Sequence, residues 1–352
     1  MVRDFSVTTD WLSTRLPIPE GPWRLTLVTD PDDCNLACDM CECGRARREP
    51  APGRPPRRMD AALALALVAE LGGGTLREVI PSTLGEPLLW SGLDALLDAC
   101  AAARVQLNVT TNGTWPGRGA RRWGERLAPL ASDVKVSWNG ATAATAEAIM
   151  TGLDFAAAVQ GVRDFAAARD QVSARTGHRC RLSFQVTAQA ANVGELGALV
   201  ALAASLSVDR VKVNQLQPLV PALEARALPA TEAGRDRWNR AVEAMRRSAS
   251  EAATAGRAVE LQNVTPLPPL GAPPAPPGPC PFVGREAWVL HDGTFAPCPH
   301  PAAWRGELGE FGSVGAQPLL AIWGGPALAR LAAGYEDHPV CRACPLRRPG
   351  GA

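Results

Sequence analysis

Between residues 24 and 214 the chain repeats one rhythm. A short run alternates apolar and polar residues, and a longer Ala/Leu-rich stretch with helical spacing follows. The alternating runs at 24–29, 77–82, 106–112, 133–139, 181–187 and 210–214 predict strands, and the stretches near 59–71, 93–104, 119–130, 141–170 and 194–206 predict helices. Strand–helix alternation predicts a parallel sheet. Strands buried on both faces would be apolar throughout, and these are not. Gln106, Asn108, Thr110 and Asn112 share one face; so do Lys135, Ser137 and Asn139, and Arg181, Ser183, Gln185 and Thr187. Helices must cover the apolar faces, so the polar faces converge on a lumen. Keeping polar groups there costs stability unless they are paired or solvated. The pattern therefore predicts a curved sheet, an open or partial barrel, with a polar ligand against its inner face.

Beyond 214 the rhythm changes. A long helix is predicted over 231–255 and a short strand over 259–264. The proline-rich run at 265–279 reads as a stiff connection, as 49–58 reads as a loop. Two strand-like runs around Asp292-Gly293 predict a hairpin over 286–298. The expected organisation is an N-terminal extension (1–22), a barrel (23–230), a helix and linker (231–279) and a small α+β domain (280–352).

Composition narrows the function. The 352 residues carry 36 basic and 35 acidic side chains, which gives no global case for a nucleic-acid or membrane partner. Neither a long apolar run nor a signal-peptide pattern is evident, so a soluble cytoplasmic protein is expected. Ten cysteines in that compartment point to metal ligation rather than disulfides. Lysine occurs only at 135 and 212, in near-identical strand contexts.

Seven cysteines form two sets. Cys34, Cys38 and Cys41 follow the first strand; Cys280, Cys298, Cys341 and Cys344 follow the proline-rich run. A closed structural site takes four protein ligands. The second set supplies four, whereas the first supplies three and leaves a coordination position open. Three thiolates suit zinc or an iron–sulfur cluster, and structural zinc remains an alternative for the second set.

The spacing Cys34-x3-Cys38-x2-Cys41, with Gly85-Glu86-Pro87 after the second strand, resembles the radical S-adenosylmethionine (SAM) enzymes. Leu84 stands where the family's motif has its first glycine, and Met40 where an aromatic residue often precedes the last cysteine. The resemblance implies a partial (β/α)6 barrel whose three thiolates bind a [4Fe–4S] cluster and whose fourth iron is chelated by SAM. The C-terminal set resembles a shortened SPASM module, the Twitch domain, with an auxiliary [4Fe–4S] cluster. The nearest resemblance is to the group containing the butirosin-type 2-deoxy-scyllo-inosamine dehydrogenase and the neomycin C epimerase. That implies oxidation or epimerisation of an aminocyclitol or aminoglycoside, a small-molecule substrate, and a flavodoxin- or ferredoxin-like reductant. Peptide modification and a non-enzymatic scaffold are the other readings.

Within that resemblance, Met40, Gly85, Glu86, Pro87, Asn112, Ser137, Asn139 and Gln185 are candidate cofactor contacts. Lys212, Lys135 and Arg181 are candidate catalytic groups, because a desolvated lysine can lose its proton and arginine effectively cannot. Cys43, Cys100 and Cys180 read as ordinary thiols, with Cys180 expected to point away from the lumen, which favours dehydrogenation over epimerisation. One difficulty stands: the lumen reads as basic, with no carboxylate except Glu86 to meet a cationic substrate.

Overall fold

The computed structural model describes residues 19–41, 43–44, 56–81, 84–218, 220–272, 277–300 and 302–347. Most of the expected N-terminal extension, most of the 49–58 loop, the middle of the proline-rich run and the last five residues lie outside them.

Seven parallel strands follow the predicted rhythm: β1 Arg24–Leu27, β2 Glu78–Ile80, β3 Gln106–Thr111, β4 Ala131–Ser137, β5 Arg181–Ala188, β6 Arg210–Gln215 and β7 Glu260–Gln262. They lie in sequence order across one sheet. β7 and β9 end its order, so the barrel is open rather than closed. Leu107, Val109, Val134, Val136, Leu182 and Phe184 are 0% exposed, which assigns the apolar parity to the helix-covered face. Each such side chain contributes about 1.5–3 kcal/mol when fully buried. Trp138 extends this face, stacked on Phe184 with centroids 4.6 Å apart.

The covering helices are α1 Ala61–Leu71, α2 Leu93–Ala103, α3 Ala120–Leu127, α4 Ala143–Ile149, α5 Phe155–Thr176, α6 Leu196–Ser205 and α7 Glu232–Thr254. The expected single helix at 141–170 is two. Gly152 takes φ +95° between α4 and α5, and the Asp154 side chain caps α5 by accepting from the Ala157 N–H at 2.9 Å. The break frees the carbonyls of Ile149 and Thr151, which accept from the Asp39 and Ala37 N–H groups of the first cysteine loop. The helices' interruption thus anchors the loop.

The C-terminal segment is joined to the barrel more closely than the hairpin alone implies. β8 (Glu286–Val289) pairs with β9 (Phe295–Ala296) as expected, but it also lies parallel to β1, with Arg24 opposite Glu286 and Leu27 opposite Val289. The sheet order is therefore β7-β6-β5-β4-β3-β2-β1-β8-β9. Four short helices follow: α8 Ala302–Glu307, α9 Leu319–Trp323, α10 Pro326–Gly334 and α11 Pro339–Arg342. The Glu70 side chain of α1 accepts from the Leu319 and Leu320 N–H groups, tying α9 to the barrel. Among the described residues no helix is long and apolar enough to cross a membrane.

Candidate functional site

Cys34, Cys38 and Cys41 lie on the loop that leaves the C-terminal end of β1, and all three are half-buried. Contacts from several other loops fix this one. The Asn112 Nδ2 donates to the Cys34 sulfur at 3.5 Å and to Asn35 Oδ1 at 2.8 Å, while its own Oδ1 accepts from Thr114 N at 3.0 Å. Gln189 Nε2 donates to the Met40 sulfur at 3.3 Å. Arg226 holds the Asp39 carboxylate at 2.6 Å. Gly44 N–H donates to the Cys41 sulfur at 3.4 Å, and a Cβ on Gly44 would lie 2.7 Å from the Cys38 carbonyl oxygen.

Gly85 and Glu86 lock the same loop from below. Gly85 has φ +74°, and a Cβ there would fall 2.0 Å from the Asp30 carbonyl oxygen. Only glycine allows that approach. Glu86 N–H donates to the Asp33 carbonyl, and the Glu86 carboxylate accepts from Asn112 N (2.7 Å), Thr111 Oγ1 (2.8 Å) and Leu88 N (3.2 Å). Burial pushes its pKa up to about 7, against those donors, which pull it down. The carboxylate is 1% exposed and spent on the Asn112 turn, so its contribution is to place that turn against Cys34. Pro87 opens a 3-10 turn, Pro87–Leu89, at the same junction.

The remaining candidates divide. Ser137 and Gln185 face the lumen opposite one another, and Lys212 continues their level on β6. Lys135 lies one layer lower, between Thr110 and Ser183, donating to Asn108 Oδ1 at 2.6 Å. Burial lowers its pKa, opposed chiefly by Asp133 and Glu78. Asn139 is not a lumen contact: its Oδ1 accepts from Thr187 N at 2.9 Å and its carbonyl accepts from Asn192, which extends the β4–β5 join. Arg181 is also misplaced as a catalytic group. It is exposed at the start of β5, at the strand end opposite the cysteine loop.

The lumen is not simply basic. Glu78, Asp133 and Glu286 are at most 6% exposed, and each stands on the lumen side at a strand's beginning. Arg24 bridges Glu78 (2.5 Å) and Glu286, while Asp133 pairs with Arg210 and accepts from Ser183 Oγ at 2.7 Å. Burial raises the Glu286 pKa against the pull of Arg24. Sequence reasoning misses this floor because the polar face of the 133–139 run is read from Lys135 and no face is assigned to the 77–82 run. Carrying the parity back from Lys135 to Asp133 identifies one member; Glu286 needs the unforeseen pairing of β8 with β1.

The C-terminal thiols form a second, drier group. Cys280, Cys298 and Cys341 are at most 9% exposed. Burial raises the Cys298 pKa to about 12 and the Cys341 pKa to about 11, and Cys280 and Cys344 add to both. Cys280 precedes β8 and Cys298 follows β9, so the antiparallel hairpin returns both to the end where β8 begins. His300 Nε2 lies 2.9 Å from the Cys344 sulfur. The Arg347 guanidinium donates to the Gly278 carbonyl at 2.7 Å and the Cys341 carbonyl at 3.1 Å, and stacks 5.0 Å from the Tyr335 ring centroid. A fixed cation beside thiolates offsets their charge. His300 and Arg347 carry no spacing signal, so the sequence does not reveal them.

The other three thiols are buried. Cys100 lies in α2, and Cys180 is 0% exposed within the apolar core. Cys43 packs beside Cys41, with the Arg57 guanidinium 3.8 Å from its sulfur, and its pKa is raised first by the hydrogen bond with Cys41 and then by burial. Among the described residues no three His, Cys, Asp or Glu side chains gather closely enough to hold a single metal ion. Thiols that each bind a different iron of a cluster need not converge in that way.

An iron–sulfur cluster-binding domain family, SPASM, matches residues 280–345. No curated protein sequence matches the chain. Solved structures share its fold. Streptococcus suis SuiB bound to S-adenosylmethionine aligns with a TM-score of 0.63 at 14% identity, covering 92% of this chain and 72% of that one. Native anSMEcpe with bound AdoMet aligns with a TM-score of 0.61 at 12% identity, covering 88% and 83%. BtrN in complex with AdoMet and 2-DOIA aligns more loosely, with a TM-score of 0.48 at 14% identity over 92% and 93% of the two chains. The architecture is thus the parallel-sheet barrel fold of these neighbours, solved with S-adenosylmethionine bound, with a C-terminal segment that matches the SPASM family.

Proposed function

We propose that the chain is a two-cluster radical SAM enzyme that oxidises a secondary alcohol of an aminocyclitol or aminoglycoside intermediate to a ketone. The observation that carries this reading is the pairing, on one sheet, of a three-thiol loop at the end of β1 with a four-thiol set around the β8–β9 hairpin. The donor sets fit: three thiolates leave one iron of a [4Fe–4S] cluster open, and four close an auxiliary cluster. Cys34, Cys38 and Cys41 would hold the first cluster, and Cys280, Cys298, Cys341 and Cys344 the second. When bound, the first cluster with SAM supplies hydrogen-atom abstraction and the second accepts the remaining electron.

The chain's own residues do the rest. The Gly85 junction presents backbone beside the cysteine loop, where the SAM amino group would sit. Asn112 orients Cys34 through its N–H···S contact. Lys135, whose pKa burial lowers, takes the hydroxyl proton as the carbinol carbon becomes a carbonyl. Hydrogen atom, proton and electron together account for the two-electron oxidation. All three spare cysteines are buried away from the lumen or against the cysteine loop, which supports dehydrogenation over an epimerisation that needs a thiol hydrogen donor. The electron entering the first cluster would come from a flavodoxin- or ferredoxin-like reductant. Peptide modification is the second reading, favoured by the fold neighbours solved with SuiA and with the Kp18Cys peptide.

The test is anaerobic turnover with SAM and reductant against cyclitol and peptide panels. A cyclitol product two mass units lighter, formed with 5′-deoxyadenosine, supports the reading. Solvent deuterium retained in a product of unchanged oxidation state contradicts it, and so does turnover confined to peptides.

A further inference from the structure

One residue outside the four C-terminal thiols touches two of them. His300 is 6% exposed and follows Cys298 by two positions. Its backbone N–H donates to the Cys298 sulfur, and its ring Nε2 lies 2.9 Å from the Cys344 sulfur, 44 residues further along the chain. The N–H groups of Leu36, Asn112 and Gly44 that reach Cys34 and Cys41 stand farther off, at 3.4 or 3.5 Å. Arg347, also 6% exposed, adds a buried cation to the set: its guanidinium donates to the carbonyls of Gly278 and Cys341.

Burial and electron acceptance pull against each other at this site. A cluster that takes up an electron gains negative charge, and holding charge away from water is costly, so a dry site by itself lowers the potential. Cys280, Cys298 and Cys341 are at most 9% exposed. An acceptor placed among them needs its added charge offset from within the fold. A cluster-bound thiolate only accepts hydrogen bonds, so Nε2 must carry the ring proton that faces Cys344. A donor to sulfur favours the more negative, reduced state and raises the potential. Arg347 acts in the same direction through its fixed charge.

We propose that His300 is the positioning residue that makes the C-terminal cluster an electron acceptor, its Nε2–H binding the Cys344 thiolate while its backbone N–H binds Cys298. This rests on the two-cluster alcohol-oxidation reading above and deepens it, by assigning the acceptor's potential to one side chain. The electron concerned is the one left at the carbinol carbon once a hydrogen atom and the hydroxyl proton have gone. Its arrival reduces the C-terminal cluster by one electron, so no further oxidant or reductant is involved.

EPR-monitored redox titration of the anaerobically reconstituted full chain tests it. His300→Phe should make reduction of the C-terminal cluster about tenfold less favourable, a fall of about 59 mV for one electron, through loss of one hydrogen bond to a charged acceptor. The first cluster's potential should stay where it is. His300→Gln retains an N–H donor and should recover most of the shift, which a merely space-filling role would not. Iron content, measured on every variant, identifies those that load both clusters. A second measurement needs no variant: pulsed EPR of the reduced wild type with 15N-labelled histidine should show weak coupling of histidine nitrogen to the C-terminal cluster. If the wild type holds only one cluster, the two-cluster reading fails and the proposal with it. If both clusters are present and His300→Phe leaves both potentials unchanged, the proposal is refuted while the reading stands. A histidine coupling as large as that of a bound ligand would also overturn it, by making His300 an iron ligand, and so would the absence of any coupling.

Discussion

The two thiol sets are built by opposite means. The N-terminal three sit on a loop, half-buried, and contacts from several neighbouring segments hold that loop. The C-terminal thiols are for the most part buried, and burial raises the pKa of Cys280, Cys298 and Cys341. A cluster that must present one iron to a ligand needs an edge open to the lumen and a loop made rigid from outside. A cluster that only passes electrons is better kept dry and closed, since exposure and hydrogen bonding to sulfur shift its potential.

The largest effects should come from breaking either set. Cys38→Ala should abolish 5′-deoxyadenosine formation, whereas Cys298→Ala should retain SAM cleavage and lose ketone formation; product analysis of the two variants checks the division of labour. Equal loss of both reactions in both variants would end it. Next in size is Gly85→Ala. Its new methyl would meet the Asp30 carbonyl at 2.0 Å with φ held at +74°, so at least about 2 kcal/mol of stability and much of the first cluster should be lost. Denaturant titration alongside iron assay measures both. The C-terminal cluster's signal should survive.

Glu86 provides a pH test of the first loop. Its folded-state pKa of about 7 stands above the ordinary glutamate value of 4.5, so the folded chain binds its proton more tightly than the unfolded chain does. That contribution, about 3 kcal/mol, is fully present below pH 4.5 and is lost as pH rises through 7. Glu86→Gln should flatten this part of the stability–pH curve; an unchanged slope would show that the carboxylate titrates normally. Smaller still, Asn112→Ala removes one donor to the Cys34 sulfur and should lower the first cluster's reduction potential without moving the second's. An EPR-monitored redox titration resolves the two.

Much of the barrel is legible in the alternation, because a parallel strand with one polar face is stable only where that face lines a lumen. Asp133 and Lys135 share a face with Ser137, and the register agrees. What escapes the sequence depends on long-range pairing. Nothing local to Glu286 announces that β8 will lie beside β1 and bring a carboxylate to Arg24. The 151–154 break is written in Gly152 and Asp154, but the alanine-rich flanks outweigh it in a helical reading. Parity alone places Asn139 and Arg181 in the lumen. It gives the face of a residue and not its height along the barrel, and at the strand ends the difference decides what a side chain can reach.

The division of labour requires that the chain hold two clusters, one open at a single iron and one closed by four thiolates. Iron and sulfide analysis of the reconstituted protein, with a Cys280→Ala/Cys298→Ala variant alongside, tests this most directly. About eight of each in the wild type and about four in the variant is the expected result, four per cluster. Four irons and one zinc in the wild type would contradict it.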